Sequence, residues 1–173
     1  MVISGDAPIP DLPGMTGRRL DKARPDLFTS PLLAQLFTWW QEAARQGSGP
    51  PRPPLFATFD ITAHRPLTRN IFVAAEQSDG YVLRLAGEDY LQIFGIKKGH
   101  QWRRENDNPL ERDFALYVDF VRRQGMPYYG RGPLELGPKN WVAFETLFCP
   151  LTHDPADKIT LIGLSVRLPS AED

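Results

Sequence analysis

The sequence predicts an α+β domain: one antiparallel sheet of five strands, helices gathered over one face, and a further helix ahead of it. Three observations lead there. Two β-branched, apolar runs flank the Ser78-Asp79-Gly80 turn; the clearest amphipathic helical period in the chain follows them; three more strand-like runs, separated by turn chemistry, close the sequence. Helices collected between the second and third strands of such a sheet cover one of its faces.

In chain order, residues 1–29 are rich in Pro, Gly and charge, with apolar residues too scattered to form a stripe, and predict a flexible arm that is disordered alone or drapes over a neighbour. The first firm element opens at Ser30-Pro31, a capping side chain followed by a residue with the right φ for the first helical position. Leu33, Leu36, Phe37, Trp40 and Ala44 recur at helical spacing, and Gly47 supplies a stop. Leu32 and Trp39 widen this stripe. Two readings stand: a single broad core face, or a core face plus a dimer interface in which Leu36, Trp39 and Trp40 meet a second copy. Gly47 to Pro54, GSGPPRPP, reads as a semi-rigid connector that completes the 30–54 unit, with a polyproline ligand as the alternative.

Residues 55–168 make the main domain and 169–173 a tail. Leu55 to Arg69 reads as a short helix or irregular lead-in. Asn70–Ala75 and Tyr81–Ala86 form a hairpin, with Arg84 a charge inside an apolar run. The stretch from Tyr81 to Gly99 then turns abruptly at Gly87 into a short helix carrying Tyr90 and Ile93, stops at Gly95, and passes Gly99; both later glycines suit positive φ. QWRRENDN reads as a polar loop anchored by Trp102. Pro109 begins a helix whose Leu110, Phe114, Tyr117, Val118 and Val121 share one face, while Glu111, Arg112, Asp119 and Arg122 take the other, and Gly125 with Pro127 ends it. Tyr128–Leu136, Trp141–Pro150 and Ile159–Leu168 close the sheet as a meander, with turns at Gly137–Asn140 and His153–Asp157.

This order of elements is that of a PAS domain. NIFVAAEQSDGYVLRLAG, EDYLQIFG and ETLFCPLTHDPADKITLIGLSVRL resemble in particular a group of short bacterial PAS-like proteins known as a domain of unknown function. Members carry an Arg-x-x-Gly, then a Gly, and later an apolar-Pro-Leu; here these are Arg84, Gly87, Gly95, Pro150 and Leu151. The resemblance spans Asn70 to Leu168, and the Trp39-Trp40 helix matches upstream. It implies that a cavity between sheet and helices, where one exists, is lined by Tyr90, Ile93, Trp102, Phe114, Tyr117, Phe144 and Leu147. The same large side chains could instead fill a solid core. Arg84 either pairs with Glu88 or Glu145 as a structural lock or meets an anionic ligand.

Composition bounds the function classes. The chain of 173 residues is 42% hydrophobic and 24% charged with a formal charge of −1, an ordinary balance that gives no expectation of nucleic acid. The Arg-rich patches at Arg103 and Arg122 read as solvated faces. A single Cys149 in an apolar run reads as a small buried residue, which favours the cytoplasm. The N-terminus lacks a basic then apolar leader, and no window approaches the roughly 20 apolar residues of a membrane span. His64, His100 and His153 have no partners at metal-ligand spacing, so no metal is expected, and Cys149 lies outside the helical context of a flavin-adduct thiol. Phosphate loops, nucleophile elbows and paired carboxylates are missing, so an enzyme is not expected. The expectation is a stand-alone PAS-like sensory or regulatory module with a small-molecule ligand of unknown identity, or no cofactor at all, signalling through a partner protein. A ligand-free dimerisation adaptor is the alternative.

Overall fold

A computed structural model of the protein describes residues 7–45, 48–137 and 140–169. Gly47 as a helix stop, Pro138 and Lys139 of the expected turn, and residues 1–6 and 170–173 of the expected arm and tail lie outside the described residues.

The chain builds one antiparallel sheet from β1 (Arg19–Lys22), β2 (Ile71–Gln77), β3 (Gly80–Ala86), β4 (Gln101–Arg103), β5 (Tyr128–Gly137), β6 (Asn140–Pro150) and β7 (Ile159–Arg167), in the spatial order β1-β5-β6-β7-β2-β3-β4. Among the described residues the sheet therefore has seven strands where the sequence predicts five. The five expected strands form its centre, and the two additional ones are its edges. Both edges are short and charged, RLDK and QWR, which blunts them against pairing with another chain. Trp102 is buried in β4 between exposed Gln101 and Arg103, so the segment expected as a polar loop is a three-residue strand paired to Gly80–Val82.

Helices lie on both faces. α1 (Pro31–Ala44) starts as expected, with the Ser30 hydroxyl accepting from the Leu32 amide at 3.2 Å. Its Leu33, Leu36, Phe37, Trp39 and Trp40 pack with Ile71, Val73, Tyr129, Leu147, Cys149, Ile162 and Leu164 from one face of the sheet. The breadth of its apolar stripe is thus met within one chain: Leu36 is fully buried, Trp40 donates its indole N–H to the Pro150 carbonyl at 2.7 Å, and Trp39 packs edge-on to Phe59. The dimer interface expected at these three residues is occupied by the chain's own core. Residues 55–69 form two 3-10 turns, Phe56–Thr58 and Ile61–Leu67, that lead into β2.

The opposite face carries α2 (Glu88–Phe94) and α3 (Pro109–Gln124). Asn108 caps α3 by accepting from the Leu110 and Glu111 amides at 3.0 and 3.3 Å, and Gly125 ends it at φ 68°. Tyr90 of α2 and Tyr117, Val118, Phe120 and Val121 of α3 pack with Phe72, Ala74, Tyr81, Leu83, Tyr128, Phe148 and Leu161. Leu12 and Met15 join this second core, and the Gly14 amide donates to Asp113 at the start of α3. No helix among the described residues is long and apolar enough to cross a membrane.

Candidate functional site

The candidate site is the space between the sheet and α2 and α3. Most of it is filled by aromatic contacts: Phe72 stacks on Tyr90 at 4.6 Å, Trp102 on Phe114 at 4.2 Å, and Phe94 meets the edge of Phe144 at 5.4 Å. Two adjoining hollows remain. The inner one, about 30 Å³, lies among Arg18, Phe72, Tyr117, Phe144, Thr146 and Phe148. The outer one, about 80 Å³, lies among Ile96, Trp102, Leu110 and Glu111. Arg18, Tyr90, Phe94 and Phe114 line both. An inner volume of this size holds on the order of one water molecule, and both hollows together fall below the ~150 Å³ of a cavity that takes benzene.

Polar groups in this apolar space are few and specific. Arg18 is half-buried, and its guanidinium carbon lies 5.0 Å from the centre of the Phe144 ring. Burial lowers its pKa, because taking the cation from water disfavours the charged form. Among the described residues no carboxylate pairs with its guanidinium and the guanidinium makes no hydrogen bond. The Tyr117 hydroxyl is fully buried with no hydrogen-bond partner among the described residues, and burial raises its pKa. Burial likewise raises that of Tyr90, with the Glu111 carboxylate adding to the shift. Thr146 and Ser165 satisfy one another at 2.7 Å. Glu111 on the outer hollow is already engaged, with His100 Nε2 at 2.6 Å.

The position of Arg18 follows from β5. A Cβ built at Gly132 would lie 2.8 Å from Arg18 Cγ, and one at Gly130 would lie 3.3 Å from Leu20 Cδ2, so the missing side chains make room for the segment that brings Arg18 in. Sequence reasoning missed Arg18 by assigning residues 1–29 to an arm. The signal was present in the Gly130-Arg131-Gly132 spacing, which leaves one strand face without side chains.

Of the residues named from the resemblance, Tyr90, Phe114, Tyr117 and Phe144 line the inner hollow, and Trp102 lines the outer one. Ile93 lies apart, in a more open hollow of about 360 Å³ with Asn70, Asp89, Gln92 and Arg167. Leu147 belongs to the α1 side of the sheet. Phe144 and Leu147 are three residues apart in one strand, and alternation sends them to opposite faces.

Arg84 meets neither expectation. Val73 pairs with Leu85 and Ala74 with Leu83, so Arg84 is the extra residue of a β-bulge and its side chain is exposed outside both hollows. Glu88 lies 3.7 Å from Arg69, and Glu145 is buried beneath the start of α1, so neither carboxylate is its partner. Cys149 is buried in the α1 core, and burial raises its thiol pKa well above the usual value. Among the described residues no group of three His, Cys, Asp or Glu side chains is placed to hold a metal.

No family model matches this sequence, and no curated protein matches it. Among solved structures the chain is similar to an RNA-binding Light-Oxygen-Voltage receptor at 14% identity and a TM-score of 0.42, over 87% of this chain and 38% of that one. The chain thus spans well under half the length of that receptor.

Proposed function

We propose that the protein is a PAS-like sensory or regulatory domain without catalytic activity of its own, which takes a small molecule between its sheet and α2 and α3 and reports occupancy to a partner protein. One observation carries the reading: a half-buried arginine with no counter-ion among the described residues lines two hollows between the sheet and the helices. A cation partly withdrawn from water gains from an added partner, so its place on the wall of an otherwise apolar space marks where a small molecule completes the bonding. The element order of a PAS domain, with its central five strands in one antiparallel sheet, supports the same reading.

The arrangement also supplies a route for the signal. Arg18 immediately precedes β1, an edge strand paired with β5, so a ligand at the guanidinium biases how firmly the N-terminal segment is held. Ligand-observed NMR with a fragment set spanning acids, bases and neutral compounds tests the proposal. Binders that shift resonances of Tyr90, Phe94 and Phe114 are the expected result. A set in which no compound of any charge perturbs those residues would overturn it, leaving the ligand-free adaptor.

A further inference from the structure

We propose that the occupant of these hollows is a small monocarboxylate with a compact apolar body, its carboxylate held by Arg18 and its body lying against the Trp102–Phe114 and Phe72–Tyr90 stacks. The inference rests on the reading above that the space takes a small molecule, and adds its chemical class.

The charge argument comes first. Arg18 lines both hollows, is half-buried, and has no anion against it among the described residues. A guanidinium partly withdrawn from water gains from a counter-charge, and a planar carboxylate is the partner its fork fits. The protein's own nearby carboxylate does not fill this role. Glu111 lines the outer hollow but makes its 2.6 Å contact with His100. One cation also limits the anion's charge. Arg131 touches the inner hollow as well, but its residue is exposed and its guanidinium donates to the Thr29 hydroxyl at 3.3 Å. A phosphate bearing close to two charges would therefore leave one of them uncompensated among aromatic rings, whereas a monocarboxylate is neutralised.

The remaining surface sets the body. Apart from Arg18, Arg131, Glu111 and the Thr146–Ser165 pair, the walls are mostly rings and aliphatic side chains. Hollows of about 30 and 80 Å³ take a short chain of a few carbons, and nothing the size of a nucleotide or flavin. Tyr117 is among the residues around the inner hollow, its ring set edge-on to Phe148.

Three near-isosteres small enough for the hollows, titrated into the unmutated protein and followed by amide and side-chain NMR, test this: propionate, propionamide and propylamine. Propionate is expected to saturate with shifts at Arg18 Nε–H and around Phe114 and Tyr117, and to bind at least roughly tenfold tighter than either analogue. R18Q is expected to weaken propionate by about tenfold or more and to leave propionamide unchanged. Propionamide binding as tightly as propionate, or propionate binding unchanged in R18Q, would overturn the carboxylate anchor while leaving a ligand-binding hollow. Inorganic phosphate outcompeting propionate at the same resonances would overturn the monocarboxylate assignment. No perturbation by any of the probes, together with a silent fragment set, would overturn both readings. Should R18Q not fold, the isostere comparison on the unmutated protein decides alone.

Discussion

Glu145 offers the sharpest test of how the two faces of the sheet are joined. It is fully buried in β6, and its carboxylate accepts from the Thr29 amide at 3.1 Å, from the Ser30 amide, and from the Tyr129 hydroxyl at 2.9 Å. The anion therefore sits where the chain enters α1, satisfying amides at the helix's positive end. Replacing it with alanine leaves three donors without their acceptor, the Tyr129 hydroxyl in the core and the Thr29 and Ser30 amides at its margin. Each hydrogen bond to a charged acceptor contributes about 1.5–3 kcal/mol, and the gross loss of roughly 5–9 is offset by several kcal/mol of desolvation no longer spent on a buried carboxylate. A net cost of about 3–4 kcal/mol remains, a large part of the 5–15 kcal/mol that holds a domain together.

Equilibrium urea denaturation of E145A measures this directly, and the melting temperature should fall by roughly 10 °C for a chain of this length. Y129F removes one donor along with its bond and is expected to cost about 1 kcal/mol. S30A removes only the hydroxyl cap that accepts from the Leu32 amide and should cost a similar ~1 kcal/mol. A loss below about 1 kcal/mol in E145A, or a Y129F loss as large as that of E145A, would refute the account of Glu145 as a shared acceptor.

Further outcomes follow from other contacts. Y117F, which removes the orphaned buried hydroxyl, should stabilise the unliganded protein by about 1 kcal/mol by thermal melting, whereas a loss would mean that the hydroxyl has a partner. Asp119 is partly desolvated, which by itself would raise its pKa, but the two hydrogen bonds from Arg104 at 2.7 and 2.9 Å and one from Tyr81 hold it below the usual carboxylate range. A depressed carboxyl contributes stability that is present above its unfolded value near ~3.9 and is lost as pH falls through the folded one. D119N should therefore cost about 1–2 kcal/mol at pH 7, and the gap to the unmutated protein should close in denaturation curves taken toward pH 3. Trp40→Asp should unfold or strongly destabilise the chain, read by circular dichroism and sedimentation together; a folded variant of altered oligomeric state would contradict the burial of this residue against Pro150. Cys149 should resist a thiol reagent until denaturant is added, since its buried thiol is held protonated.

What was legible in the sequence follows the length of each element. α3 repeats its apolar face over four turns between a capping Asn108 and a left-handed Gly125, so periodicity and caps agree. β1 and β4 contain four and three residues, too few for alternation to show, and their charged edges look like loop. The site was half legible for a related reason. Helical and strand periods place Tyr90, Phe114, Tyr117 and Phe144 on the inner side, and the same period-two rule would have sent Leu147 to the other face. Arg18 and Glu145 are legible in no local pattern, since one acts across β5 through the absence of side chains at Gly130 and Gly132 and the other acts 115 residues away on Ser30.

The glycines of the α2 region show how one residue type encodes two different constraints, and a pair of substitutions separates them. Gly87 has an ordinary φ of −75°, so it does not need the freedom that the abrupt exit from β3 suggested; a Cβ there would lie 2.2 Å from the Thr68 carbonyl oxygen. Gly95 has φ 63° with nothing within 4 Å of a built Cβ, so it needs conformation alone. G95A should therefore cost about 1 kcal/mol, the penalty of a left-handed alanine. G87A must push the 68–69 backbone off the start of α2, where the Arg69 carbonyl accepts from the Asp89 and Tyr90 amides at 2.9 and 3.2 Å. Its cost should exceed that of G95A by at least ~2 kcal/mol in the same denaturation assay. Because Tyr90 walls both hollows, G87A should also weaken any small-molecule binder while G95A leaves it intact. Equal losses in the two variants would mean that the backbone beside Gly87 yields, and that the wall of the site is softer than its packing implies.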